Sequence, residues 1–201
     1  MIVLVFDTET SGLPKCGYHK DYINTNSWPF MLQLGYILYD TNKHEIIKKY
    51  KNLIKIDDSV QISEDSIKIH NITKELCQQN GELISKVLRD FNKVLMKCDL
   101  IVGHNVQFDK TLIMAEMIRN QIPYNFNKAE YCTMKNSINL CKLEGKATWR
   151  GKNNNYKYPK LSELVNYLFS ETPENLHDAL TDVLYTLKCY LKMEFNKEIN
   201  I

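Results

Sequence analysis

The sequence has few of the residues and patterns that mark special protein classes. Its 201 residues include only 7 glycines and 5 prolines, and the six cysteines form no Cys-x-x-Cys pair. That absence excludes the common structural zinc spacings, and a disulfide framework is not expected in a chain of this length. No apolar run approaches the roughly 20 residues of a membrane-spanning helix. The opening MIVLVF lacks the basic segment of a signal peptide. We therefore expect a cytoplasmic protein in a reducing compartment, without a membrane partner.

A strong net charge is also missing. The formal net charge is +2 and the pI about 8.1, so bulk charge alone does not indicate a nucleic-acid-binding protein, and any basic footprint must be local. Hydrophobic residues make up 44% of the chain and charged residues 25%, which is typical of a globular protein. The length favours one domain over residues 1–201, with no internal repeat and no linker to divide it.

The order of apolar and amphipathic segments predicts an α/β fold. IVLVF at residues 2–6 is a short, fully apolar run, typical of a strand buried on both faces. Further strands are predicted at 31–40, 45–56, 99–105 and 129–134, and helices at 82–97, 109–122, 161–169 and 177–195. The short turn between the second and third strands predicts a meander of strands one to three. The whole order predicts a five-stranded mixed sheet flanked by helices.

Two carboxylates follow the first predicted strand, in the segment FDTETSGL. Asp7 and Glu9 are separated by one residue, so on an extended strand their side chains project from the same face. Adjacent carboxylates repel and raise each other's pKa, a conflict that a divalent cation bound through oxygen resolves. The alternative is a helix cap or a solvated turn, because Asp, Thr, Ser and Gly all favour turns. The segment alone leaves both interpretations open.

A third acid, Asp109, lies just beyond the predicted strand at 99–105, near the start of a helix. An aspartate in that position also interacts favourably with the helix dipole, which is the alternative explanation. If the strand at 99–105 is a neighbour of the first strand in the sheet, Asp109 lies beside Asp7. The metal-site hypothesis therefore depends on the strand order.

The segment NLHDALTDVLYTL adds a histidine and a further acid. His177 precedes the C-terminal helix, Asp178 is placed to serve its first turn, and Asp182 is predicted about one and a half turns into it. A histidine there is more often structural or at the surface, whereas an acid bordering an apolar helix face usually needs a partner. Taken together, three acidic sites at the ends of buried elements favour a two-metal phosphodiesterase. In such a site two cations about 3.5–4 Å apart clamp the reacting oxygens, and a histidine takes the proton of the attacking water.

The three segments DTE, HNVQFD and HDALTD resemble the motifs of the DEDD exonuclease superfamily, in its histidine-bearing DEDDh branch. That branch includes the proofreading exonuclease subunit of bacterial DNA polymerase III, ribonuclease T and oligoribonuclease. The resemblance covers essentially the whole chain. Gln33 and Gly35 match the second strand of the family, and IHNIT at 69–73 resembles its IHGIT loop, with Asn71 where glycine is common.

The resemblance implies a ribonuclease H-like fold and a set of site residues. It implies that Asp7, Glu9, Asp109 and Asp182 bind two Mg²⁺ or Mn²⁺ ions and that His177 is the general base. The backbone around Thr8 and Glu9 would receive the 3′-terminal sugar. The substrate-binding set also includes Thr10, Leu13 and Ile72, the last two packing on the terminal bases, and His104 and Asn105 in a supporting role.

The function implied by the resemblance is 3′-5′ exonuclease activity that releases nucleoside 5′-monophosphates, with DNA favoured. An RNA-directed 3′-5′ exoribonuclease is an alternative, and so is a nucleic-acid-binding or polymerase-associated proofreading module. The implied partners are a single-stranded or frayed 3′ end of DNA or RNA, and either a DNA polymerase or a second copy of the chain.

Two polar loops border these motifs. The loop at 14–30 covers the sheet in our interpretation, with the edge of the cleft as the alternative. Basic and aromatic residues alternate in the loop at 142–160, namely Lys142, Lys146, Trp149, Arg150, Lys152, Tyr156, Lys157, Tyr158 and Lys160. This pattern suits the phosphates and bases of a single strand, whereas a solvated loop is the alternative.

Overall fold

The computed structural model describes residues 1–15, 23–145 and 156–199. Its sheet consists of β1 (Ile2–Thr10), β2 (Met31–Asp40), β3 (Glu45–Lys55), β4 (Glu82–Leu83), β5 (Leu100–Gly103) and β6 (Ala129–Cys132). The strand order is β4-β3-β2-β1-β5-β6. Strands β1, β2 and β3 form the predicted antiparallel meander, and β5 and β6 continue the sheet in parallel with β1.

The mixed sheet is confirmed, but the predicted number of five strands is wrong. The sheet has six strands, because β4 pairs in parallel with the end of β3. Two residues are too few to show a strand pattern, and β4 directly precedes a strongly amphipathic helix. The sequence pattern therefore merges this strand with the helix that follows it.

Eight α-helices are present in the described residues, and a short 3-10 helix spans Thr25–Ser27. The α-helices are α1 (Glu64–His70), α2 (Lys74–Asn80), α3 (Ile84–Leu95), α4 (Val106–Arg119), α5 (Thr133–Asn136), α6 (Ile138–Cys141), α7 (Leu161–Phe169) and α8 (Ala179–Phe195). The hydrophobic pattern does not predict α1 and α2, which have seven residues each. Both begin at a side-chain cap, since the hydroxyls of Ser63 and Thr73 accept hydrogen bonds from backbone N–H groups of the first turn. No helix in this part of the chain is long and apolar enough to cross a membrane.

The sheet lies between two helical layers, and β1 is buried on both of its faces. Leu4 and Phe6 pack into a hydrophobic cluster with α3 and α4. Val3 and Val5 pack on the opposite face, against the apolar side of α8. Alternation along β1 therefore assigns every side chain of this strand to one layer or the other.

Strand β1 is longer than predicted. The apolar pattern ends at Phe6, but β1 stays paired with β2 as far as Thr10. The polar residues do not end the strand, because β2 supplies backbone hydrogen-bond partners along its whole length. Asp7 and Glu9 thus lie within a strand rather than at a turn.

Candidate active site

Asp7 and Glu9 project from the face of β1 that α8 covers. They alternate with the same period as Val3 and Val5, whose side chains pack against that helix. In the antiparallel register Asp7 lies opposite Gly35 of β2, and Glu9 lies opposite Gln33. Gly35 and Gln33 are therefore the cross-strand neighbours of the two acids.

Gly35 and Gln33 fix the start of α8 over the two acids. A Cβ atom on Gly35 would lie 2.5 Å from the backbone carbonyl carbon of Ala179, so only glycine allows the helix to approach this closely. The side-chain Oε1 of Gln33 accepts a hydrogen bond of 2.8 Å from the backbone N–H of Ala179. The sequence pattern gives no reason for either residue, although both match the second strand of the family resemblance.

The docked helix brings His177 and Asp182 to Glu9. His177 has a positive φ of 69°, and its backbone N–H lies 3.3 Å from each carboxylate oxygen of Asp182. One ligand atom from each of Glu9, His177 and Asp182 falls within 4.8 Å of the others. Asp182 lies in the first turn of α8, which corrects the predicted position of one and a half turns, because the helix begins at Ala179.

Asp178 has the role that the sequence predicts. It is the N-cap of α8, and its Oδ1 accepts a hydrogen bond of 3.2 Å from the backbone N–H of Thr181. Its Oδ2 pairs with the Nζ of Lys51 at 2.9 Å. Although burial raises the pKa of Asp178, the Lys51 ammonium and the Thr181 N–H hold it below the usual range. This acid therefore serves the helix and stays charged.

Asp109 reaches the site from the other helical layer. Strand β5 pairs in parallel with β1, as the metal-site hypothesis requires, and α4 begins directly after it. Oδ1 of Asp109 accepts two hydrogen bonds from Thr8, at 3.0 Å from the backbone nitrogen and 2.6 Å from the hydroxyl. Thr8 points towards α4 because it has the opposite parity to Asp7. Its side chain orients an acid of the site.

Burial and neighbouring carboxylates raise the pKa of all four acids of the site. Burial raises the pKa of Asp7 well above its usual range, and the carboxylates of Asp109 and Asp182 raise it further. Burial, followed by the same two acids, raises the pKa of Glu9 to about 9. Burial also raises the pKa of Asp109 to about 7, although Thr8 opposes this, and that of Asp182 to about 6. Protons held by this cluster are readily replaced by a divalent cation that prefers oxygen ligands.

Leu13 and Ile72, the two predicted base contacts, differ in exposure. Leu13 is 73% exposed and lies just beyond β1. Ile72 is only 5% exposed and packs in a hydrophobic cluster with Leu32, Val60 and Cys77. The structure thus places the Ile72 side chain in the core, and its contact with a terminal base stays a prediction.

His70, which the sequence reasoning did not single out, supports the end of β1. Its Nε2 lies 3.1 Å from the carbonyl oxygen of Thr10, and its Nδ1 accepts a hydrogen bond of 3.0 Å from the N–H of Ile72. Burial lowers the pKa of this histidine, in keeping with a neutral ring that donates from Nε2. The hydroxyl of Thr10 donates to the carbonyl oxygen of Gly12. The only sequence signal for His70 is its place in the segment IHNIT.

His104 and Asn105 lie between β5 and α4, where His104 contacts other parts of the protein and Asn105 caps the helix. Nδ1 and Nε2 of His104 each lie 3.0 Å from a protein oxygen, the hydroxyl of Thr133 and the carbonyl of Pro159 respectively. Burial lowers the pKa of His104 to about 4, so the ring is neutral. Asn105 is the N-cap of α4 with a φ of 74°. Both residues hold the backbone that presents Asp109.

The two loops of the sequence analysis lie only partly within the described residues. Residues 16–22 and 146–155 are not described, so the expectations for Trp149, Arg150 and Lys152 lie outside the structure. In the described part, Lys157 pairs with Glu163 of α7 at the end of the second loop. Pro29 belongs to the first loop, and its carbonyl oxygen accepts a hydrogen bond of 2.9 Å from the side chain of Arg119 in α4.

Comparison with known proteins gives a family and a fold. The model of the exonuclease family matches residues 4–190, a range that contains all four acids and His177. No curated protein sequence gives a significant match.

Among solved structures, E. coli exonuclease I in complex with a dA16 oligonucleotide aligns with a TM-score of 0.70 at 17% identity, over 97% of this chain and 41% of that chain. The zinc-bound form of the E. coli exonuclease I complex with single-stranded DNA aligns with a TM-score of 0.71 at 18% identity, over the same shares. The present chain thus spans about two fifths of those chains and has the same ribonuclease H-like fold. Because the family model covers most of the sequence, the chain belongs to the exonuclease family, in the DEDDh 3′-5′ branch that its motifs resemble.

Proposed function

We propose that this protein is a metal-dependent 3′-5′ exonuclease acting on single-stranded or frayed nucleic acid, with DNA favoured. The observation that carries the proposal is the meeting of Asp7, Glu9, Asp109 and Asp182 with His177 around the C-terminal half of the central strand β1. Their side chains come from β1, α4 and the start of α8, which are far apart in sequence. The products would be nucleoside 5′-monophosphates, and residues 1–201 would act as a single exonuclease domain.

The donor set supports two Mg²⁺ or Mn²⁺ ions as cofactors. Asp7, Glu9, Asp109 and Asp182 offer only carboxylate oxygens, the ligand type that these hard cations prefer. The raised pKa of each acid also identifies a cluster that lacks enough positive charge of its own. When bound, the two cations supply Lewis-acid stabilisation of the charge on the attacking and leaving oxygens.

His177 is the proposed general base. It is exposed, and its ring reaches the same small volume as the carboxylates of Glu9 and Asp182. A water molecule placed there gives its proton to the ring as its oxygen attacks phosphorus, and the bond from phosphorus to the 3′-oxygen breaks. The released 3′-oxygen takes a proton from solvent. The backbone contact between His177 and Asp182 fixes the position of the histidine throughout.

The end of β1 is the proposed seat of the 3′-terminal nucleotide. The backbone at Thr8 and Glu9 lies beside the carboxylate cluster, and His70 holds the carbonyl of Thr10 in place. The exposed side chain of Leu13 offers an apolar surface to a terminal base. Thr8 would contribute through its backbone, since its hydroxyl is bound to Asp109.

The preference for DNA is supported by the compared structures, in which E. coli exonuclease I holds DNA oligonucleotides. An RNA substrate is the alternative, because contacts to a 2′-hydroxyl decide between the two sugars. A DNA polymerase or a second copy of the chain remains a proposed partner.

The test uses 5′-labelled DNA and RNA strands of the same sequence, incubated with Mg²⁺, with Mn²⁺ or with EDTA. We expect a ladder that shortens from the 3′ end with either metal and an intact strand with EDTA. Asp7→Asn should abolish shortening, whereas Asp90→Asn on the remote helix α3 should not. Intact DNA and RNA in the presence of both metals would overturn the proposal.

A further inference from the structure

A row of lysines lies on β3 beside the candidate active site. Lys51 is opposite Gly35 in the register of β2 and β3, and Gly35 is opposite Asp7. Lys49 and Lys55 have the same parity as Lys51, so all three side chains project from the face that carries the acids. The buried Ile54 between them belongs to the cluster on the opposite face, which confirms the alternation.

The distances place this row within reach of a bound strand. Neighbouring strands are about 4.8 Å apart, so Lys51 lies about 10 Å from Asp7 across two strand spacings. Residues two apart on a strand are separated by about 7 Å, so Lys49 and Lys55 lie about 7 and 14 Å from Lys51 in opposite directions. The interval of about 7 Å is similar to the separation of successive phosphates in an extended single strand, and the interval of about 14 Å is twice that separation.

The charges at the two ends of the row are available. Lys51 is paired with Asp178, the N-cap of α8. Lys49 and Lys55 are exposed, and no carboxylate in the described part of the chain lies within ion-pair distance of either. Lys48, by contrast, projects from the other face, with its Nζ 5.4 Å from the ring centre of Tyr36. Two lysines on the side of the acids, Lys49 and Lys55, therefore carry a positive charge without an ion-pair partner in the described part of the chain.

We propose that Lys49, Lys51 and Lys55 form a phosphate-binding row for the part of a single-stranded nucleic acid that lies 5′ of the scissile bond. The proposal rests on the proposed exonuclease function, because it needs the 3′ end to lie at Asp7. The acids repel a polyanion until cations neutralise them, so a separate set of positive groups at this distance retains the strand between successive cleavages. Loss of the row should therefore weaken the binding of long substrates much more than that of very short ones.

The test compares the double variant Lys49→Gln/Lys55→Gln with the charge-matched control Lys93→Gln/Lys97→Gln, in the last turn of α3 and just beyond it. For a 12-nucleotide DNA strand with Mg²⁺ at low salt, we expect KM to rise about fivefold to tenfold in the test variant, with kcat nearly unchanged. The rise should be much smaller for a dinucleotide, which is too short to span the row. Binding of the 12-nucleotide strand in EDTA should show a slope against log salt that is shallower by about 1.4, since each lost phosphate contact removes about 0.7.

Equal KM values and equal salt slopes for the two double variants would overturn the lysine row. A rise in KM of the same size for the dinucleotide and for the long strand would overturn it as well, because the defect would then lie at the acids. If the wild-type protein cleaves neither the 12-nucleotide strand nor the dinucleotide, the proposed function is overturned instead. In that case the binding measurement in EDTA still decides whether β3 holds the strand.

Discussion

Gln33 and Ala179 are 146 positions apart in the sequence, yet the side-chain amide of one accepts a 2.8 Å hydrogen bond from the backbone of the other. This contact joins the middle of the sheet to the first residue of α8. The same helix start carries His177 and Asp182, whereas Glu9 lies opposite Gln33 in the sheet. The geometry of the site therefore depends on how closely α8 approaches β2.

Gly35→Ala should weaken the docking of α8. The added Cβ would lie 2.5 Å from the carbonyl carbon of Ala179, so the helix start must shift. Overpacking of this kind costs about 1–3 kcal/mol, which corresponds to a fall in Tm of roughly 3–10 °C for a chain of this size. Thermal unfolding measured by circular dichroism checks this. The matched control is Gly12→Ala, whose Cβ would meet no atom closer than 3.9 Å and should leave Tm unchanged.

Thr8→Val should weaken metal activation. The variant removes the hydroxyl that donates to Asp109 at 2.6 Å, so the pKa of Asp109 rises further above its value of about 7. A hydrogen bond to a charged group contributes about 1.5–3 kcal/mol. The Mn²⁺ concentration for half-maximal activity at pH 7 should therefore rise about tenfold or more. Thr8→Ser keeps the hydroxyl and should behave like the wild type, and equal activation midpoints for Val and Ser would contradict the role of Thr8.

His177→Gln should reduce kcat by a factor of about 10² to 10⁴, the usual contribution of a general base. Glutamine keeps a polar side chain of similar size but cannot accept the proton at neutral pH. His44→Gln, at an exposed turn between β2 and β3, is the control and should keep wild-type kinetics. A kcat close to the wild-type value in the His177 variant would assign the proton transfer elsewhere.

The metal-free protein should lose stability as the pH rises from 7 to 9. Glu9 has a pKa of about 9 in the folded protein and its ordinary value when unfolded, so the folded state binds more protons in this range. Stability falls with pH wherever the folded state holds the extra protons. Glu9→Gln removes this group and should show a smaller fall in Tm over the same range, in EDTA. Saturating Mg²⁺ at pH 9 should raise Tm of the wild type, because the cation binds only the folded state.

Much of the architecture follows from local patterns. The bounds of β2 and α7 are those that the sequence predicts, because each segment has a clear hydrophobic pattern bounded by turn or polar residues. The metal-site hypothesis requires that β1 and β5 are adjacent strands, and their parallel pairing confirms this. The sequence pattern fails for α1 and α2, whose starts depend on hydroxyl caps rather than on an apolar stripe.

The contacts that align the site could not be predicted from local pattern. Gln33 and Gly35 have their roles only because α8 crosses β2 at their position. His70 is bonded to Thr10 across 60 positions, and Ile72 is buried by residues from three other segments. Such contacts depend on tertiary packing, which the periodicity of a single segment does not record.

The most direct measurement of the central claim is the rate of nucleoside 5′-monophosphate release from single-stranded DNA as a function of Mn²⁺ concentration, for the wild type and Asp7→Asn. We expect saturable activation of the wild type and no release in EDTA. We also expect a rate lower by about 10³ or more in the variant at every Mn²⁺ concentration, because the carboxylate between the other acids is lost. Equal rates in the two proteins, or wild-type release that persists in EDTA, would contradict a metal-dependent exonuclease site at these residues.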